Sequence, residues 1–238
     1  MNSSRLSGKV LLDILGKPML WHIYNRLIKC NLLDTVVIST GDSSRNKQIV
    51  DFAKNNNIPI FVGSEDDLLG RLYGTAVHFE ASAIVRITAD CPLVDPDLVD
   101  ELVRKYIDNE NDLDIVTNCI ERTYPHGLDV EVFSIGLLEK IHKEFTNDLR
   151  EWFSLYIQKN PSKFKLLNKK YSTNLSNYRW TVDYSEDYEF IKKIYENLYV
   201  ENQSFSIKQI LSLLQTHPQL LEINSKHSGM HNVGSPTI

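Results

Sequence analysis

The sequence predicts an α/β fold, a mostly parallel mixed sheet flanked by helices, and three observations carry that reading. Short runs rich in β-branched residues alternate with helix-length amphipathic segments. The runs are too apolar for strands wetted on one face, so both faces must be covered. With 238 residues, 42% of them hydrophobic, the chain is long enough to bury one layered core.

From Pro18, the apolar positions Leu20, Ile23, Tyr24, Leu27 and Ile28 fall at the three-and-four spacing of one helix face, with proline suited to the first turn. Thr35 to Ser39 is a β-branched strand, 44–56 a helix, Ile58 to Val62 a strand or edge strand, and Asp67 to Phe79 a helix. Ala83 to Thr88 is a further apolar strand, and Asp95-Pro96 supplies the cap and first-turn signals of a helix reaching about Tyr106. Strands separated by such helices imply right-handed crossovers. Beyond residue 112 the pattern predicts strands at 113–118, 128–133, 164–167 and 180–183, and helices at 135–145 and 148–158. Ser185 is expected to cap a helix whose stripe is Ile191, Ile194, Tyr195 and Leu198, with Glu186 and Asp187 at its positive end. A last helix covers 206–215. One domain over residues 1–222 is expected, followed by a flexible polar tail at 223–238.

Lys plus Arg number 26 against 31 Asp plus Glu, a formal charge of −5, which argues against a nucleic-acid polymer as partner. No run approaches the ~18 apolar residues of a membrane span, and the polar start carries no secretory signal, so a cytoplasmic location is expected. Cys30, Cys91 and Cys119 have neither zinc nor redox-pair spacing and read as reduced, buried thiols.

In open parallel sheets, ligands bind beyond the carboxyl ends of strands. Asp90, in Thr88-Ala89-Asp90-Cys91-Pro92, and Asp183, closing Arg179-Trp180-Thr181-Val182-Asp183, both fall at such ends. Two carboxylates suit a magnesium ion that takes its remaining ligands from water and phosphate; spacing alone favours a helix or turn cap for each. Ser3 to Lys9 interleaves small residues with Arg5 and Lys9, a composition that lets backbone N–H groups and cations approach phosphate oxygens. The P-loop, the dinucleotide fingerprint, the serine nucleophile elbow and the His-Glu-x-x-His motif are all missing from the sequence. His126 reads as a loop histidine, and His227 and His231 lie in the polar tail.

Six ordered blocks resemble the SpsF-type spore-coat polysaccharide cytidylyltransferase-like family, relatives of the acylneuraminate and KDO cytidylyltransferases. They are Arg5 to Val10, Gly16 to Leu20, Gly63 to Arg71, Arg86 to Leu93, Arg122 to Phe133 and Arg179 to Asp183. The resemblance spans roughly residues 3–200. It implies a nucleotide-diphospho-sugar transferase fold and transfer of CMP from CTP to a sugar acid with release of pyrophosphate. It implies Arg5 and Lys9 on the triphosphate, Arg71 near the nucleotide, Mg2+ on Asp90 and Asp183, and a homodimer. Relatives carry a further strand ahead of the Arg5–Lys9 loop, so the chain is expected to be N-terminally truncated and to lack that strand. Ser7 replaces the usual proline, Ala89 the usual glycine, and Trp152 the histidine that tends to follow Arg150-Glu151. The alternatives are a catalytically impaired sugar-nucleotide-binding or assembly protein, and a glycosyltransferase, the latter disfavoured because Asp90-Cys91-Pro92 lacks the second acid of an Asp-x-Asp clamp.

Overall fold

The computed structural model describes residues 6, 8–42, 44–200 and 204–229. The expected alternation is present. A hairpin of β1 (Asp13–Ile14) and β2 (Lys17–Pro18) leads into α1 (Met19–Leu27); β3 (Ile38–Thr40), α2 (Lys47–Asn55) and β4 (Ile60–Val62) form a parallel crossover. Then follow α3 (Leu68–His78), β5 (Ala83–Arg86), α4 (Pro96–Ile107), β6 (Ile115–Thr117), β7 (Glu131–Ser134) and α5 (Ile135–Glu144). The chain continues through α6 (Asp148–Glu151), α7 (Phe153–Lys159), β8 (Leu166–Asn168), α8 (Ser185–Leu198) and α9 (Ile207–Thr216).

The larger sheet has the order β5-β7-β6-β8. It is mixed: β7 runs antiparallel to both β5 and β6, while β8 is parallel to β6. The loop from β6 to β7 contains no helix, so β7 returns beside its neighbour instead of crossing over. The strand period of two sorts side chains to opposite faces. Val116 and Val132 join a core with Met19, Leu102, Trp180 and Ile191, while Ile115 and Phe133 join a second core with Leu69, Leu138 and Phe153. Helices α1, α4, α8 and α9 thus cover one face and α3, α5 and α7 the other, giving three layers.

Three local expectations are corrected. The segment 180–183 is not a strand; Arg179, just before it, makes one parallel bridge to His126, and the segment itself is held loop to loop. The helix expected at 148–158 breaks at Trp152 into α6 and α7. The polar tail expected from 223 is instead docked through His227, with Asn224 and His227 buried; residues beyond Gly229 lie outside the described ones. Burial of a few polar side chains on specific partners does not register in composition, which is why the docking was illegible.

The caps are local. Asp95 accepts from the backbone N–H groups of Asp97 and Leu98 at the start of α4, and its other oxygen accepts from Ile207 N at 2.8 Å, joining the starts of α4 and α9. Gly127 is the backbone feature that positions the site. At φ +109° its added Cβ would lie 2.4 Å from the Trp180 carbonyl carbon and 2.5 Å from Thr181 N. Only glycine lets this loop lie flush on 179–181. Gly127→Ala should therefore lower unfolding free energy by about 2–5 kcal/mol, measured by urea denaturation. A loss below about 0.5 kcal/mol would show that the close approach is not needed.

Candidate functional site

Two loops are sewn together at one end of the larger sheet. The first follows β5 and contains Thr88 to Cys91; the second precedes α8 and contains Thr181 to Asp183. Val182 N donates to the Asp90 carbonyl at 2.9 Å and the Thr181 hydroxyl to the same oxygen at 3.2 Å. Backbone pairing thus brings together two carboxylates far apart in sequence.

Between them sits Lys9, in the 3-10 turn that follows left-handed Gly8. Its Nζ donates to Asp90 Oδ2 at 2.9 Å, Asp183 Oδ1 at 2.9 Å and the Val182 carbonyl at 2.7 Å. Three acceptors match the three N–H bonds of an ammonium. The Thr88 hydroxyl donates to Asp90 Oδ1 at 2.6 Å, and Arg179 Nη2 to Asp183 Oδ2 at 2.9 Å. Burial alone would raise the Asp90 carboxyl, but Lys9 and the Thr88 hydroxyl hold it below its ordinary value. Burial likewise opposes the charge on Lys9, and Asp90 and Asp183 more than offset it, leaving the ammonium more basic than usual. Neither aspartate caps a helix. At the start of α8 it is Asp187, not Ser185, that closes the turn, accepting the N–H groups of Asp183 and Tyr184 at 3.0 and 3.1 Å.

A cavity of about 300 Å³ opens beside this cluster, its lining including Asp90, Asp183, Glu151, Trp152 and Gln158. Its walls carry two ion pairs that single-residue inspection did not single out. Arg122 grips Asp129 with both Nη atoms, and Arg86 holds Glu131, whose other oxygen accepts from the Ser154 hydroxyl. Arg86, Arg122, Asp129 and Glu131 all fall in the sequence blocks quoted above; the Arg86–Glu131 pair depends on β5 lying beside β7 in register, the two residues opposite each other. Cys91 and Cys119 also line the cavity, and burial pushes both thiols up, which makes them poor nucleophiles at neutral pH.

The structure therefore brings Lys9, Asp90 and Asp183 together. Arg71 is elsewhere: in α3 its Nη1 donates to the Ser64 and Glu65 carbonyls, bracing the turn that lines a separate cavity of about 360 Å³ with Asp42 and Arg45. Arg5 lies outside the described residues. The carboxylates have no third acidic, histidine or cysteine neighbour forming a metal-binding group among the described residues. The oxygens of Asp90, Asp183 and Val182 nonetheless converge on one point that a cation already fills, so the donor set fits a hard divalent ion needing only one or two carboxylates.

His126 lies over the same loops. Its N–H bonds Tyr178 O at 3.0 Å, and its ring Nδ1 lies 3.3 Å from Arg179 Nη1. Burial depresses its pKa below the ordinary 6.5; Asp129 and Asp90 pull upward, Arg122 and Arg179 downward. A neutral buried imidazole means the unfolded chain binds a proton first on acidification, so its contribution is present above about pH 6.5 and is lost as pH falls through the depressed native value. His126→Asn should flatten the decline in melting temperature between about pH 7.5 and 5. An unchanged slope would remove His126 as its source.

No helix among the described residues is long and apolar enough to cross a membrane. A model of the cytidylyltransferase family matches residues 1–210. The spore coat polysaccharide biosynthesis protein SpsF of Bacillus subtilis is 28% identical over 92% of this chain and 92% of its own length. The 3-deoxy-manno-octulosonate cytidylyltransferase of Lawsonia intracellularis is 33% identical over 56% of this chain and 54% of its own. The solved structure of a cytidylyltransferase from Leptospira borgpetersenii superposes with a TM-score of 0.88 at 31% identity, covering 92% of each chain. With the carboxylate pair, the flanking cavity and these likenesses in hand, the chain belongs to the cytidylyltransferase family.

Proposed function

We propose that this cytidylyltransferase transfers CMP from CTP to a sugar acid, with release of pyrophosphate, in the synthesis of a surface polysaccharide or glycan. One observation carries the reading: Asp90 and Asp183 converge on a single cation position beside a cavity of sugar size. The names of the two relatives supply the chemical class, one a polysaccharide biosynthesis protein and one a cytidylyltransferase acting on an eight-carbon sugar acid.

In this reading Asp90 and Asp183 hold Mg2+. When bound, such an ion neutralises phosphate charge and lowers the pKa of a coordinated hydroxyl. The chain's own residues do the rest by positioning. Thr88 and Arg179 fix the two carboxylates from behind. Lys9, together with Arg5, would meet the triphosphate and stabilise the departing pyrophosphate as the acceptor oxygen approaches the α-phosphorus in line. The far wall faces the acceptor: Arg86 uses one nitrogen on Glu131, and the Trp152 ring and Gln158 amide flank it. No side chain needs to form a covalent bond.

Lys9 and a divalent cation cannot occupy the same seat. A bound triphosphate offers the ammonium alternative anionic partners, so cation affinity should depend on nucleotide. Titrating Mn2+ by electron paramagnetic resonance should show weak binding to the free protein and at least about 10-fold tighter binding with CTP. Lys9→Met should bind Mn2+ without nucleotide, and Asp90→Asn and Asp183→Asn should abolish binding and lower pyrophosphate release by about 10²–10³-fold. Full turnover in both aspartate variants would defeat the assignment, as would equal Mn2+ affinity in free wild-type protein and Lys9→Met.

A further inference from the structure

The last described segment packs behind the candidate site, against the turn that carries Asp183. Asn224, 4% exposed, donates from Nδ2 to the Arg179 carbonyl at 2.9 Å and to Asp187 Oδ1 at 3.1 Å. Asp187 is fully buried and receives Arg179 Nε on both oxygens, at 3.0 and 3.1 Å. Its Oδ2 also accepts the backbone N–H groups of Asp183 and Tyr184. Arg179 completes the circuit by donating from Nη2 to Asp183 Oδ2 at 2.9 Å. Both the backbone and the carboxylate of Asp183 therefore take their direction from Asp187.

Capping of α8 does not require Asn224. The helix-start N–H groups are met by Oδ2, whereas Asn224 addresses Oδ1. What Asn224 fixes is the rotation of the Asp187 carboxylate, and through it the guanidinium that holds Asp183. Two further contacts seat the same segment: the His227 ring stacks on Tyr184 at 3.9 Å and 5°, and Lys226 pairs with Glu186. Residues 224–227 thereby brace the 183–187 turn along its length.

We propose that Asn224 is a positioning residue for Asp183, the last link of a clasp through which the C-terminal segment sets the direction of a cation-binding carboxylate. The proposal rests on the reading of Asp183 as a cation ligand, and its test has one arm that does not. In the full chain, Asn224→Ala should speed hydrogen exchange of the Asp183 and Tyr184 amides by about 10-fold or more. It should also weaken CTP-dependent Mn2+ binding by about 10-fold, the range expected when an outer support of a metal ligand is removed. Asn224→Ser, which keeps a donor on a shorter arm, should fall between and serves if the alanine variant does not fold. Leu220→Ala is the structural control: it removes a buried side chain of the same segment, 9% exposed, that makes no bond to Asp187. It should lower the melting temperature without changing either readout. The proposal is overturned if the Asn224 variants keep wild-type amide exchange, if Leu220→Ala moves both readouts equally, or if the amides loosen while Mn2+ affinity holds. Should wild-type protein bind no Mn2+ with CTP, the amide arm still decides the clasp, and that failure falls on the cation reading.

Discussion

A single ammonium answers three inward-facing oxygens, and the geometry of this end of the molecule follows from that. Each of the Asp90 and Asp183 carboxylates has an oxygen 2.9 Å from Lys9 Nζ, so those oxygens lie no further apart than twice that distance. Two like charges about 5 Å apart repel by about 3 kcal/mol at the effective dielectric of a protein surface. An unscreened pair would push the loops apart or take up a proton. Here Lys9 supplies the opposing charge: its ammonium bonds both carboxylates, and it holds the Asp90 carboxyl below its ordinary value. The fold tolerates the pair only with a cation between them, which is the physical property a phosphate-transfer centre needs.

The second layer of charge is more deeply buried and more costly to disturb. Arg179 and Asp187 have side chains 2% and 0% exposed. Burying such ions is expensive unless every lone pair and proton is met, and removing one partner typically costs about 3–5 kcal/mol. Here the Asp187 oxygens are met by Arg179, Asn224 and two backbone N–H groups. The pair adds specificity more than net stability: its bonds have fixed directions, so the turn before α8 has one conformation and Asp183 one orientation. Arg122 with Asp129 does the same for the cavity wall, its bidentate grip leaving little rotational freedom.

Much of this was legible in the sequence, and the failures have a common cause. Hydrophobic period and cap residues located the helices and most strands, because those signals are local. The suspicion that fell on Asp90 and Asp183 came from topology, since residues just past buried strands face the open rim. That logic was only half right for Asp183: the segment before it is no strand, yet Gly127 lays a loop flush against it and the bonds to Asp90 bring it to the same place. That the Lys9 ammonium bonds both aspartates is a pairing no local signal carries. Asn224 read as part of a loose tail because serine, histidine and asparagine lower hydrophobicity, although each can be buried when a specific partner awaits it. Pairing across long sequence separations leaves no period to read.

The charge on the cavity wall gives an independent reason to expect a cation with the nucleotide. Its lining carboxylates Asp90, Asp129, Glu131, Glu151 and Asp183 outnumber its lining arginines, Arg86 and Arg122; both arginines are engaged by carboxylates, and Asp90 and Asp183 are met by Lys9 and Arg179. A triphosphate carrying several negative charges meets a surface that is acidic on balance. Lys9 relieves part of this, but one ammonium cannot neutralise two carboxylates and a pyrophosphate leaving group together. Any further compensation has to come from outside the wall, as the divalent ion of the proposed mechanism would supply it.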